Sequence, residues 1–176
     1  MPKPLRVRYS RIARLVDELL EKYNVHEPPV NVHRIAIGEG HQISYEYLDD
    51  EFSGFLLKGT KHFVIGVNRS NAENRQRFTI AHECAHALLH DFDDIHVDKA
   101  FKLRSPLSSK AIDVEEIEAN TFAAWLLMPE RMLRNDLLRW GIDVQSDDSV
   151  AELAHAYEVS QQSMAFRIAN LLSRLR

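Results

Sequence analysis

The sequence has one cysteine, Cys84, in 176 residues. That excludes an intrachain disulfide and any four-thiolate metal site. No stretch approaches the roughly 20 apolar residues of a membrane span, and the N-terminus lacks the apolar run of a signal peptide. These absences lead us to expect a cytoplasmic protein with no membrane contact. Proline and glycine number six each, which leaves out collagen-like and low-complexity chains. Positive charge is not in excess: 22 Lys+Arg stand against 26 Asp+Glu, a formal net charge of −4. A surface built to coat nucleic acid is therefore not expected. The local exception is Lys3, Arg6, Arg8, Arg11 and Arg14, which reads as a solvated basic face on the first helix. What the chain does have is histidine, nine in all.

Hydrophobic spacing divides the chain without an internal repeat or a flexible linker. Ile12, Leu15, Val16, Leu19 and Leu20 recur every three to four residues and predict a helix over 10–23, broken by Pro28-Pro29. A short helix follows over 32–37. Three β-rich runs, 42–47, 53–58 and 62–67, predict a small antiparallel sheet. Ser70 and Glu73 have the spacing of a capping box and open a long helix to about His90. Residues 91–109 show no clean period and read mostly as loop. Helices are expected over 113–128, stopped by Pro129, and over 130–140, 149–157 and 160–174.

The chemistry lies in His82-Glu83-Cys84-Ala85-His86. Residues four apart sit one helical turn above each other, so both imidazoles can face one metal ion. Glu83, one residue round, is placed to take a proton from an attacking water. Given this composition, such a His-Glu-x-x-His run arises by accident in about four sequences in a hundred, few enough to favour a metal site over decoration. Zinc suits two neutral imidazoles plus a carboxylate, although manganese or iron can occupy such sites. The third ligand is sought among Asp113, Glu115, Glu116 and Glu118. Glu116 and Glu118 point about 200° apart round a helix axis. The Glu116 face continues through Ala119, Asn120 and Ala123, small enough to lie against the histidine helix. The Glu118 face continues through Phe122 and Trp125, which look like core. Glu116 is the favoured ligand and Glu118 the alternative. Asn120 is placed to hydrogen-bond a ligand histidine, and His90, too far along the helix to share the ion, suits a supporting or helix-end role. Cys84 reads as packing. Tyr45, Tyr47, His96 and Arg104 are candidates for stabilising a developing oxyanion, unranked by sequence.

Phe78-Thr-Ile-Ala-His-Glu-Cys-Ala-His-Ala-Leu-Leu-His90, followed by Glu116-Ile-Glu-Ala-Asn-Thr-Phe-Ala-Ala-Trp-Leu-Leu-Met-Pro129, resembles the ImmA/IrrE family of metallopeptidases. The likeness continues through Leu153-Ala-His-Ala-Tyr-Glu-Val-Ser160 and covers most of the chain. It implies an α+β fold with a zincin-like core: a small antiparallel sheet packed on the His-Glu-x-x-His helix and a second ligand helix. On this reading residues 1–140 form the peptidase domain, and 141–176 a helix-turn-helix-like appendage packed on the same core. Carried over by position, His82, His86 and Glu116 hold zinc and Glu83 is the catalytic base. The resemblance further implies a regulatory endopeptidase that cuts a helix-turn-helix transcriptional repressor, on a mobile element or in a stress response. Many members carry an N-terminal helix-turn-helix and some a C-terminal sensory domain. This sequence has room for neither, so targeting and activation are expected to come from elsewhere.

A competing reading is a repressor-binding or DNA-binding module whose metal is structural. Its support is 150–172, where two short helices flank Glu158-Val159-Ser160 and the second offers Gln161, Gln162, Ser163 and Arg167. That is thin beside the many basic contacts needed to neutralise phosphates, so direct DNA contact is not expected.

Overall fold

Ile12, Val16, Leu19 and Leu20 are all buried, and the face they share makes Tyr9–Lys22 helix α1. The computed structural model describes residues 6–60, 62–91, 95–99, 114–139 and 146–173. Helix α2 spans Val32–Gly38 and is capped by Asn31, whose side chain accepts from the Arg34 backbone N–H. Strands β1 (Gln42–Glu46), β2 (Phe52–Lys58) and β3 (Phe63–Asn68) precede the long helix α3, Glu73–Leu89. Strand β4 (Ile95–Lys99) follows, then α4 (Val114–Leu127), α5 (Glu130–Arg139), α6 (Asp147–Ala156) and α7 (Gln161–Ser173). The α+β class expected from sequence is what the chain adopts.

The sheet has the order β1-β3-β2-β4 and is mixed. Strands β2 and β3 are antiparallel neighbours, as expected, and β4 adds antiparallel to β2, but β1 pairs parallel with β3. The reason lies at Asn68, which is fully buried at the end of β3. Its side-chain amide donates to the carbonyls of Leu48 (3.1 Å) and Phe52 (2.9 Å), so the β1–β2 connection wraps round the end of β3 instead of closing a hairpin. Strand β4 falls within the stretch read as loop; pairing with β2 supplies the backbone partners that its sequence pattern does not advertise. Most of the remainder of that stretch lies outside the described residues.

The start of α3 also differs from expectation. The helix begins at Glu73 after Ala72, which has no capping side chain. Ser70 instead belongs to the preceding turn, its N–H donating to Asn68 Oδ1 at 3.0 Å.

Helix α3 packs across β2 and β3 on one side and against α4 on the other. Gly54 of β2 allows the first contact: a Cβ there would lie 2.4 Å from Thr79 Cγ2, so any larger residue would push α3 off the sheet. Small residues allow the second, since Ala81, Ala85, Ala119 and Ala123 are all fully buried. The C-terminal helices join the same apolar cluster through Leu153, Met164, Ile168 and Leu171. Polar contacts reinforce them: Tyr157 donates to Asp136 (2.7 Å) and Arg167 Nε to the Met128 carbonyl (3.1 Å). No described helix is long and apolar enough to cross a membrane.

Candidate active site

Three side chains converge where α3 meets α4. His82 and His86, one turn apart on α3, bring their Nε2 atoms to 3.1 Å from each other. Glu116, in the first turn of α4, places Oε2 3.4 Å from His82 Nε2 and Oε1 3.3 Å from His86 Nε2. Both imidazoles are buried to 2% exposure, whereas the Glu116 side chain is 38% exposed, so the group opens to solvent on the carboxylate side. Burial pushes the Glu116 carboxyl up, but hydrogen bonds from His82 and His86 outweigh it and hold the group well below the usual carboxylate range.

The spacing allows a fit test for a metal. Ligand atoms held at about 2.0–2.2 Å in tetrahedral array lie about 3.3–3.6 Å from one another. The two Nε2 atoms here are 3.1 Å apart and each has a different Glu116 oxygen at 3.3–3.4 Å; with one ligand atom taken from each residue, all three lie within 4.8 Å of one another. Among the described residues this is the one group of three or more His, Cys, Asp or Glu side chains able to hold an ion together. The donor set fits a divalent cation.

Glu83 is fully buried beside His82. Cys84 lies on the far side of α3, where burial raises its thiol to about 12, and it serves as core. Glu118, the alternative ligand, is turned away from the group. It accepts from the Arg8 backbone N–H (2.7 Å), Arg8 Nε (2.9 Å) and His90 Nε2 (2.9 Å). Burial raises the Glu118 carboxyl, but the hydrogen bonds from Arg8 and His90 outweigh it and hold it near 2. Arg8 is thereby taken out of the basic face to which it was assigned; Arg11 and Arg14 remain exposed.

Asn120 makes no hydrogen bond to either histidine in the described structure. That place is taken by His90 at the end of α3, whose Nδ1 lies 3.0 Å from His86 Nδ1. Sequence reasoning gave His90 a supporting role but missed Glu118 and Arg8 as its continuation. Nothing local signals a contact across 110 residues. Of the oxyanion candidates, Tyr45 packs on the core and Tyr47 is 79% exposed beside Arg69. The His96 side chain, Arg104 and Asp113 lie outside the described residues, as does Lys3.

A cavity of about 160 Å³ lies beside Phe78, one turn before His82, walled by Leu127, Met128 and Val159 with Ser160 and Ser163 of the α7 start. The exposed Gln161 donates to the Asp147 carbonyl, and Arg167, only 5% exposed, lies against Trp125. The side chains proposed to reach DNA are thus partly committed within the fold.

Comparison with known proteins places this geometry. The IrrE N-terminal-like domain, peptidase family M78, matches residues 29–169. The radiation response metalloprotease IrrE of Deinococcus deserti is 36% identical over 109 residues, 62% of this chain and 37% of that protein. Its Deinococcus radiodurans counterpart is 35% identical over 109 residues, 61% of this chain and 31% of that protein. The chain therefore spans about a third of the length of these two relatives. Immunity region protein 2 of Bacillus phage phi105 is 30% identical over 161 residues, 87% of this chain and 92% of that protein. A Mycobacterium tuberculosis transcriptional regulator shares the fold at a TM-score of 0.58 with 13% identity, covering 91% of this chain and 46% of that one. A domain match of this extent, carrying both helices that build the His-His-Glu group, means that the chain belongs to the ImmA/IrrE family.

Proposed function

We propose that the protein is a zinc-dependent endopeptidase with a regulatory role, in which His82, His86 and Glu116 are the metal ligands and Glu83 is the catalytic base. The observation that carries the reading is the convergence of two Nε2 atoms and one carboxylate, ligand atoms that lie within 4.8 Å of one another. A divalent cation in that place supplies Lewis acidity, polarising a peptide carbonyl and making water a nucleophile at neutral pH. Glu83 takes the proton from the attacking water and passes it to the leaving amine. With a cation bound, His82 and His86 would turn their Nε2 lone pairs toward it, and the exposed edge at Glu116 is the side from which an extended peptide enters. Zinc suits two imidazoles and a carboxylate with a fourth position left for water, and the same donor set also accepts iron or manganese.

The substrate we propose is a helix-turn-helix repressor, met in the cytoplasm and cut to relieve repression. The phage relative is named for an immunity region and the Deinococcus relatives for a radiation response, which supports a regulatory target. Co-expression with a repressor encoded beside the gene tests this. Fragments from the wild type and none from Glu83→Gln support proteolysis. Intact repressor co-purifying with both would shift the reading to a binding partner with a structural metal. Metal analysis of the purified protein checks the choice of zinc.

A further inference from the structure

A histidine that binds a cation through Nε2 must carry its one proton on Nδ1, the less populated tautomer of a free imidazole. Something has to hold it there. His86 Nδ1 lies 3.0 Å from His90 Nδ1, and two ring nitrogens at that distance need one donor and one acceptor. If His86 donates, His90 Nδ1 accepts, and the proton of His90 sits on Nε2. That nitrogen lies 2.9 Å from Glu118 Oε2, a carboxylate with no proton to give. The directions agree at every step: Glu118 accepts from His90, and His90 accepts from His86. Glu118 in turn is held by three donors of Arg8, namely its backbone N–H, Nε and Nη2. The His90 and Glu118 side chains are 1% and 0% exposed, so water does not compete for these bonds.

The two histidines differ in this respect. His82 Nδ1 is buried and has no hydrogen-bond partner among the described residues. The support is one-sided.

We propose that Arg8, Glu118 and His90 are positioning residues that lock His86 as its Nδ1–H tautomer, with Nε2 bare toward His82 and Glu116. This rests on the reading of His82, His86 and Glu116 as the ligands. It ties the site to the segment just before α1, so that displacing Arg8 loosens a ligand it never touches.

The decisive measurement needs no metal, but it needs the Glu116 carboxylate removed, since without a cation that group, 3.3 Å from His86 Nε2, draws the ring proton there. In metal-free Glu116→Ala, long-range 1H–15N spectra should show His86 as the Nδ1–H tautomer. His90→Leu, which removes the acceptor, should return it to a mixture. His90→Asn, which keeps an oxygen close to the place of Nδ1, should restore part of the bias. Zinc affinity by chelator competition should fall about 10–100-fold in His90→Leu, the loss usual for partners behind a ligand, and less in His90→Asn. Arg8→Met should weaken binding by less than His90→Leu. Should His90→Leu fail to fold, judged by the melting temperature of the metal-free protein, His90→Asn and Arg8→Met carry the test. A mixed tautomer in metal-free Glu116→Ala overturns the relay. So does wild-type zinc affinity in His90→Leu while His86→Ala has lost it, an outcome that leaves the ligand reading standing. Undiminished affinity in His86→Ala would overturn both.

Discussion

Two glutamates on α4, two residues apart, have opposite surroundings. Glu116 faces the two Nε2 atoms of α3 and keeps 38% of its side chain exposed. Glu118 is fully enclosed, with donors from Arg8 on one side and His90 on the other. Both carboxyls are held below their ordinary range for the same reason, since neighbouring donors outweigh burial. A depressed carboxyl therefore does not by itself mark a ligand. What separates the two is whether the donors are already satisfied internally or converge on an open point. At Glu118 the protein supplies every partner, and the carboxylate becomes structure. At Glu116 the partners are the two imidazoles that we propose as metal ligands, and the carboxylate keeps an open side.

That contrast can be broken from several sides. The largest expected effect is on neither glutamate of α4 but on the base. Glu83→Gln should cut peptide hydrolysis by about 10²–10⁴-fold, the usual worth of a positioned general base, with zinc content and melting temperature close to wild type. Equal cleavage rates would remove Glu83 from the mechanism. Next, Glu116→Ala should weaken zinc binding by more than the roughly 100-fold upper limit for an outer partner, because a ligand atom itself is lost. Its fold should survive, since the side chain is half open to water. Calorimetric titration with zinc reads the first effect and a metal-free thermal melt the second.

Glu118→Ala should do the reverse. It strands the Arg8 guanidinium and the His90 ring, so the metal-free protein should lose about 2 kcal/mol, below the roughly 3–5 kcal/mol of a fully buried pair because Arg8 is 29% exposed. Urea unfolding measures it, and a loss under about 0.5 kcal/mol would mean the pair is ornamental. The smallest effect should come from Asn120→Ala, with stability changed by less than about 0.5 kcal/mol and zinc affinity unmoved. A tenfold drop in affinity there would show that Asn120 supports a histidine after all.

Much of this was legible beforehand, for a local reason. The four-residue step from His82 to His86 is a property of any α-helix, and so is the divergence of Glu116 from Glu118. The stop at Pro129 and the buried stripe of α1 are likewise set within one or two turns. The failures were also local signals, but misleading ones. Ser70 and Glu73 have capping-box spacing, yet Asn68 claims the Ser70 N–H and the helix starts later. Strands β1 and β2 read as a hairpin, yet the Asn68 amide gathers the connecting carbonyls and sends β1 to the outer edge of β3. In each case a buried polar group with strong demands overrode a weaker local preference.

The sequence by itself determined the elements other than β4, the histidine pair with Glu83 beside it, and the face of α4 that can approach them. All of these follow from periodicity within a single helix or strand. Only the tertiary structure decided which glutamate is enclosed and which is open, where β1 joins the sheet, and that Arg8 reaches behind the site. Those outcomes depend on which donors meet a buried acceptor when chains far apart in sequence come together. Arg8 and Glu118 stand 110 residues apart, and no pattern of neighbours along the chain encodes their meeting.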